Sequence, residues 1–169
     1  MNILIVGKNS FLGGRLKEYL KNKNNVDLKS FVEIRNKNYD VLIHLSGPDA
    51  SKCKQIKNQS IKIRKKITSK LLTFANKNNI KFFFYISTTR VYLKNNKIDE
   101  KSKLNVNTFY SKSHLEAEKE ISKFSLKNKN INFKILRLSN CFGYPLKNNI
   151  KYWKMIINNI CKNIFIKNE

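Results

Sequence analysis

The sequence contains few of the residues that interrupt or cross-link a polypeptide. Only two prolines, five glycines and three cysteines occur among its 169 residues. No stretch has the composition of a Pro/Gly-rich linker, and no internal repeat is present. The cysteines, Cys53, Cys141 and Cys161, are odd in number and lack the spacing of metal ligands. This pattern predicts reduced, mostly buried thiols and no metal site.

Long apolar runs are also missing. No segment approaches the length that is needed to cross a bilayer. The opening apolar stretch, residues 3–6, is too short for the core of a signal peptide and is followed at once by Gly7. Hydrophobic residues make up 41% of the chain and aromatic residues 11%, which excludes a disordered chain. We therefore expect one soluble cytoplasmic domain over residues 1–169, with no membrane segment.

Acidic residues are scarce: 11 of them face 35 lysines and arginines, for a formal net charge of +24. A basic patch is the usual sign of nucleic-acid binding. Here only five of the cations are arginine, the residue that binds phosphate in a bidentate fashion, and the lysines are spread from end to end. They accompany an excess of asparagine and isoleucine, as an AT-rich genome produces. The composition favours codon bias over nucleic-acid binding, although such a field would attract an anionic dinucleotide or sugar nucleotide.

Hydrophobic periodicity alternates between strand and helix along the chain. Strands are predicted at residues 2–6, 26–28, 40–45, 81–87 and 132–138, of which 81–87, apolar throughout, is expected to be central. Helices are predicted at residues 11–20, along a face formed by Ile63, Ile67, Leu71 and Phe74, from about Tyr110, and through Ile150, Trp153, Ile157 and Ile160, followed by a short segment at 163–167. Right-handed crossovers then give a Rossmann-like, doubly wound parallel sheet with helices on both faces.

A glycine turn joins the first strand to the first helix. Its sequence, GKNSFLG at residues 7–13, resembles G-x-x-G-x-x-G with Ser10 at the middle glycine. The N–H groups and the positive end of such a helix bind a pyrophosphate. The Ser10 side chain would either push the pyrophosphate outward or donate a hydrogen bond to it. The predicted cofactor-binding residues of this turn are Gly7, Asn9, Ser10, Phe11, Leu12 and Gly13.

The end of the second strand bears on the choice between NAD and NADP. An acidic residue there binds the ribose 2′-hydroxyl and favours NAD. Lys29 and Ser30 occupy this place, and a cation with a hydroxyl would suit the 2′-phosphate of NADP. A solvated Lys29 without a role in binding is an equal alternative, so NAD or NADP is predicted, with a slight preference for NADP.

Five segments together resemble the extended short-chain dehydrogenase/reductase family, the NAD-dependent epimerase/dehydratase group. They are GKNSFLG (7–13), DVLIHLSG (40–47), FFFYISTTRVY (82–92), YSKSHLEAEK (110–119) and LRLSNCFG (136–143). The opening of the chain is also similar to the dTDP-4-dehydrorhamnose reductase branch. The resemblance implies hydride transfer between a nicotinamide cofactor and a nucleotide-diphosphate sugar, in the synthesis of cell-surface polysaccharide.

The resemblance also implies roles for particular residues. Tyr110 matches the tyrosine that donates or accepts the proton, and Thr88 the hydroxyl that orients the substrate oxygen. The family places a lysine four residues after the tyrosine, where this chain has His114, which is mostly neutral at pH 7 and would lower the pKa of Tyr110 less. The turn of Leu45, Ser46 and Gly47 matches a small-residue segment beside the cofactor, and Thr89 and Asn140 are matched to the substrate site.

Members of this family usually carry a second, C-terminal lobe that binds the sugar nucleotide, and we expect that lobe to be absent from these 169 residues. The substrate site would then be open or completed by a partner chain, and bare strand edges would favour association, for example as a homodimer. Two functions are predicted on this basis. One is an NAD(P)-dependent epimerase, dehydratase or reductase; the other is an NAD(P)-binding protein with weak or no catalysis, such as a sensor, a partner subunit or the product of a gene fragment.

Overall fold

The computed structural model describes residues 1–35, 37–93, 97–143 and 156–167, in which strands and helices alternate as the periodicity predicts. The strands are β1 (Asn2–Val6), β2 (Asn25–Lys29), β3 (Val41–His44), β4 (Phe82–Thr88) and β5 (Asn132–Leu138). The helices are α1 (Phe11–Leu20), α2 (Ala50–Ile56), α3 (Asn58–Lys77), α4 (Phe109–Lys127) and α5 (Ile156–Lys167), with short 3₁₀ helices at Phe31–Glu33 and Thr89–Val91.

All five strands form one parallel sheet in the order β2-β1-β3-β4-β5. The chain starts in the interior at β1, moves to the edge at β2, and then crosses over β1 to continue at β3. The predicted doubly wound topology is therefore confirmed. The direction of winding reverses between β1 and β3, and in open parallel sheets ligands bind at the carboxyl ends of the strands at this point.

Helices cover both faces of the sheet. On one face, α3 and α4 pack through Leu71, Leu72 and Ile121 onto the buried side chains of β1, β3 and β4. On the other face, Leu16 and Leu20 of α1 pack against Ile3, Ile5, Val41 and Ile43. The two cores explain why β1 and β3 read as continuous apolar runs, since a strand buried on both sides has no polar face.

The predicted apolar face of α3 packs on the core only in part, because the fully buried residues lie to one side of it. Its buried residues are Ser60, Arg64, Thr68, Leu71, Leu72 and Ala75, whereas Ile63, Ile67 and Phe74 are only partly buried. The C-terminal half of α3 packs on the apolar sheet, but its N-terminal half lies beside the carboxyl ends of the strands. Polar side chains fill that space, so an apolar periodicity could not locate them.

The prediction that residues 81–87 form the central strand is also corrected. β4 lies in the interior of the sheet between β3 and β5, but the middle position belongs to β3. Phe83 and Tyr85 are buried under the helices, whereas Phe84 is partly buried and Phe82 is exposed on the opposite face. An uninterrupted apolar sequence here reflects one well-covered face and one partly covered face.

Two smaller expectations change as well. Residues 163–167 lie inside α5 and do not form a separate segment, while Ile150 and Trp153 lie outside the described residues. All three thiols are free, but only Cys53 is buried; Cys141 is partly exposed and Cys161 is exposed, because it lies on α5. Among the described helices, none is both long and apolar enough to cross a membrane. Association through the edge strands β2 and β5 stays a prediction.

Candidate functional site

A cleft of about 550 Å³ opens at the carboxyl ends of the strands, next to the reversal point between β1 and β3. Pockets of this size hold nucleotide-sized ligands. The residues that line it come from the β1–α1 turn, the ends of β2, β3, β4 and β5, and the buried sides of α3 and α4. Of the predicted site residues, the lining includes Gly7, Asn9, Ser10, Phe11, Leu12, Leu45, Ser46, Gly47, Thr88, Tyr110 and His114.

The β1–α1 turn depends on glycine at its two ends. Gly7 has a φ of +141°, and a Cβ atom there would lie 2.8 Å from the Leu45 Cβ. A Cβ atom on Gly13 would lie 2.9 Å from the Gly7 carbonyl oxygen and 3.2 Å from Leu28 Cδ1. Glycine at both positions therefore lets α1 begin directly against the strands, with its N-terminus at the cleft.

Ser10 stabilises the turn and lines the cleft without blocking it. It is the N-cap residue of α1, and its hydroxyl oxygen accepts a hydrogen bond of 2.9 Å from the Gly13 backbone N–H. This is the usual role of serine at a helix N-terminus. The hydroxyl proton remains able to donate to a ligand, and the hydrogen bond from Ser10 to a pyrophosphate stays a prediction.

The end of β2 is held by its backbone and not by the Lys29 side chain. The Lys29 carbonyl oxygen accepts hydrogen bonds from the N–H groups of Gly7 and Lys8, at 2.9 and 3.1 Å. Ser30 follows it and lines the cleft. An acidic residue does lie nearby: Glu33 binds the Lys8 ammonium at 2.8 Å and the Ser30 backbone N–H at 2.9 Å.

Thr88 and Tyr110 reach the cleft from different elements. Thr88 ends β4, is buried, and accepts a 3.3 Å hydrogen bond from the Arg90 backbone N–H. Tyr110 lies in the first turn of α4, which begins with a capping box formed by Thr108 and Ser111. Because burial outweighs the effect of nearby Arg64 and Arg90, the pKa of Tyr110 is raised, so the phenol is protonated at neutral pH.

His114 lies one turn after Tyr110, and their ring centres are 4.6 Å apart. Its Nδ1 forms a 2.8 Å hydrogen bond with the Tyr85 hydroxyl. Burial, with smaller contributions from Arg64 and His44, lowers the pKa of His114 to about 2. His114 is therefore neutral and carries no positive charge beside Tyr110. Among the described residues its Nε2, buried at the cleft, has no hydrogen-bond partner.

Four predicted site residues do not line the cleft. Gly13 lies behind the turn against Leu28, and Lys29 contributes its carbonyl oxygen to the backbone. Thr89 begins the 3₁₀ helix that follows β4. Asn140 is exposed two residues beyond β5. The assignment of Thr89 and Asn140 to a substrate site stays a prediction.

The sequence analysis missed Arg64. This residue of α3 is 3% exposed and lines the cleft. Its guanidinium donates hydrogen bonds to the Ser113 hydroxyl (3.0 Å) and to the Ser46 and Pro48 carbonyl oxygens. The signal that could have revealed it is the spacing of Ser60, Arg64 and Thr68, polar residues four apart at the start of a helix whose later turns are apolar.

Comparisons with known proteins identify the family and the fold. The model of the NAD-dependent epimerase/dehydratase family matches residues 3–164. Curated protein sequences give no significant match.

Solved structures share the fold at low sequence identity. UDP-N-acetylglucosamine 4-epimerase from Methanobrevibacter ruminantium, in complex with UDP-N-acetylmuramic acid, is 17% identical with a TM-score of 0.82, over 98% of this chain and 63% of that chain. A dTDP-4-dehydrorhamnose reductase from Clostridium acetobutylicum is 24% identical, with a TM-score of 0.73, over 96% and 60% of the two chains. RMD from Pseudomonas aeruginosa, in complex with NADPH, is 20% identical, with a TM-score of 0.75, over 87% and 56%.

The chain thus spans between 56% and 63% of the length of these three structures. The family match covers nearly all of its residues, and one cleft at the end of the parallel sheet is lined by the glycine turn, by Thr88 of β4 and by Tyr110 of α4. The chain belongs to the NAD-dependent epimerase/dehydratase family.

Proposed function

We propose that the chain binds NAD or NADP in the cleft and acts on a nucleotide-diphosphate sugar, with Thr88 and Tyr110 at the reacting end. The observation that carries the proposal is that these two hydroxyl residues share one cleft with the N-terminus of α1. When bound, the cofactor would supply hydride transfer. The reaction and its substrate are proposed from similarity to proteins that are longer than this chain.

The cleft fits a dinucleotide on two grounds. The first is a pair of glycines, Gly7 and Gly47. A Cβ atom added at these positions would clash with Leu45 and with Arg64, respectively, so no side chain fits there and the backbone itself borders the cleft. The second is the unpartnered Nε2 of His114, since a buried polar atom without a partner costs free energy and would gain a hydrogen bond from a ligand hydroxyl. The N-terminus of α1 would hold the diphosphate.

The protonated phenol of Tyr110 suits proton donation to a substrate oxygen. Thr88 would hold the same oxygen through its hydroxyl and so align it with the Tyr110 proton. In this state the chain is prepared for the reduction of a carbonyl group, the direction in which tyrosine acts as an acid. We further propose that the product serves the synthesis of cell-surface polysaccharide.

The cofactor preference rests on the end of β2. Ser30 lines the cleft and Lys29 precedes it at the end of β2, and a hydroxyl with a cation favours a 2′-phosphate. Glu33 opposes this preference, but its carboxylate is bound to Lys8. We expect NADPH to bind somewhat more tightly than NADH.

A second function is favoured by the neutral His114: an NAD(P)-binding protein without catalysis. Turnover separates the two. The reduced cofactor would be mixed with 4-keto nucleotide sugars, and its absorbance followed for the wild type, for His114→Lys and for Tyr110→Phe. The enzyme hypothesis predicts oxidation of the cofactor that Tyr110→Phe abolishes. Cofactor binding by calorimetry with no turnover in the wild type or His114→Lys would contradict it.

A further inference from the structure

Arg64 is a buried cation without a carboxylate partner. Seven ion pairs occur within the described residues, and none includes Arg64. Its guanidinium donates to a hydroxyl and two carbonyl groups and also interacts with the Tyr85 hydroxyl, and all of these groups are neutral. A buried charge with only neutral partners is costly, so its retention at the cleft calls for a functional explanation.

The guanidinium is held next to Tyr110. Its central carbon lies 5.7 Å from the centre of the Tyr110 ring. The Arg64 Nε donates to the Ser113 hydroxyl, which in turn donates to the Tyr110 carbonyl oxygen at 2.8 Å. Arg64 is thus attached to the same turn of α4 that carries the phenol, while its other nitrogens bind the turn after β3. Its distance from the ring is set by two helices and a turn.

The other groups around Tyr110 offer no second buried cation in the described part of the chain. Arg90 lies 5.9 Å from the ring centre, but it is exposed. The buried titratable groups beside Tyr110 are neutral at physiological pH, since burial lowers the pKa of His114 on the same helix and raises the pKa of Tyr85 on β4. Asp49, the N-cap residue of α2, is a charged group that also lines the cleft. Water screens an exposed charge much more than a buried one.

We propose that Arg64 is a positioning residue for Tyr110 and supplies, from α3, the buried positive charge that no buried residue of α4 provides. The buried guanidinium stabilises the phenolate and so controls how readily Tyr110 releases its proton. This role rests on the proposed function, because Tyr110 needs a tuned proton only if it reacts with a substrate. It deepens that function, because the positive charge that the family places at position 114 would be supplied in this chain by Arg64.

The test is the titration of Tyr110 in the folded chain. The seven tyrosines would be replaced biosynthetically by 3-fluorotyrosine, whose fluorine reports phenol ionisation by NMR and brings the titration to lower pH. Tyr110→Phe identifies the signal. Arg64→Met is expected to raise the pKa of residue 110 by about one unit or more, the effect of an opposite charge at this range. Arg64→Lys, which keeps the charge, is expected to stay within a few tenths of the wild type.

Arg90→Met is the matched control, since Arg90 lies at nearly the same distance from the ring but is exposed. Its effect should be clearly smaller than that of Arg64→Met. An equal effect of the two variants, or no shift in Arg64→Met, would overturn the proposal. If Arg64 served only to hold the turn after β3, Arg64→Met would lower the melting temperature and leave the titration unchanged.

Two further measurements keep the outcome decisive. In the wild type alone, raising the NaCl concentration from 0.05 to 1 M should hardly move the titration of residue 110, whereas a large shift would show that exposed charges dominate. This measurement needs no variant to fold. Calorimetry of NADH and NADPH binding to the wild type tests the proposed function separately. If neither cofactor binds but the titration of residue 110 still depends on Arg64, the proposed function is rejected and the electrostatic role of Arg64 is retained.

Discussion

Arg64 and Arg137 show two ways in which this fold accommodates a guanidinium. Arg137 of β5 forms a bidentate ion pair with Glu118 of α4, with contacts of 2.6 to 3.2 Å, and the same carboxylate accepts a hydrogen bond from the Ser87 hydroxyl. Arg64 meets only neutral groups and lies at the cleft. The paired arginine joins a strand to a helix and belongs to the stability of the fold. The unpaired arginine places a buried positive charge at the cleft where a reaction is proposed.

The largest expected effect comes from breaking the pair. In Glu118→Ala, Arg137 loses its carboxylate partner. The Arg137 side chain is only 21% exposed, so water cannot fully replace that partner. We expect the free energy of unfolding to fall by about 3 kcal/mol in urea denaturation, as for other broken buried pairs. Glu116→Ala on the same helix removes the exposed pair with Lys119 and should cost under ~0.5 kcal/mol. Equal losses in the two variants would show that the Glu118 pair is not structural.

A second large effect is expected on the free energy of unfolding at acidic pH. It arises from two buried histidines near Arg64. Burial lowers the pKa of His114 to about 2 and that of His44 to about 3. The unfolded chain binds a proton on each near pH 6.5, which the folded chain excludes. This stability is present above pH 6.5 and is lost as the pH falls below it, by up to about 1.4 kcal/mol per pH unit and histidine.

His114→Gln removes one of these two contributions. Between pH 7.5 and 5, its free energy of unfolding should fall by about 2 kcal/mol less than that of the wild type. Urea denaturation at several pH values measures the difference. Parallel pH profiles for the two proteins would mean that His114 is not buried in its neutral form.

Gly47→Ala should disturb Arg64 directly. Gly47 has a φ of +143°, and a Cβ atom there would lie 2.4 Å from the Arg64 Nη1. We expect a loss of stability of about 1–2 kcal/mol and a several-fold weaker affinity for NADPH. Gly143→Ala is the control, because Gly143 also has a positive φ, of +136°, but among the described residues its Cβ would meet nothing closer than 3.8 Å. If Gly143→Ala weakened binding as much as Gly47→Ala, the contact with Arg64 would not explain the effect.

The smallest effect is expected at an exposed pair. Hydrogen bonds from Lys8 and the Ser30 backbone lower the pKa of Glu33 to about 2. A lowered carboxyl pKa stabilises the folded chain above about pH 4.5, and this contribution disappears as the pH falls toward 2. The melting temperature of Glu33→Gln should therefore lie slightly below that of the wild type at neutral pH and approach it in acid. A difference that grows in acid would contradict this assignment.

Sequence periodicity predicted the sheet and the β1–α1 turn because both follow from local rules. Apolar runs identify strands that are buried on both faces, and glycines at positions 7 and 13 mark a strand that turns directly into a helix. The resemblance selected Thr88 and Tyr110, which line the cleft, and their roles stay predictions.

The electrostatics of the site could not be predicted in the same way. The partners of Arg64 come from residues 46, 48 and 113, which are far apart in sequence and meet only after α3, α4 and the turn after β3 have packed. The neutrality of His114 is likewise a result of burial, which its own sequence context does not reveal. The pattern of a helix face shows which residues are buried among apolar groups, and it misses a polar residue that is buried at a cleft.

Thiol labelling with and without NADPH tests most directly the claim that a dinucleotide occupies this cleft. Cys141 lines the cleft, whereas Cys161 is exposed on α5 and serves as a control within the same chain. Alkylation followed by mass spectrometry would give both rates in one experiment. The account predicts that saturating NADPH slows the modification of Cys141 several-fold and leaves that of Cys161 unchanged. An unchanged rate at Cys141 in the folded protein would contradict it.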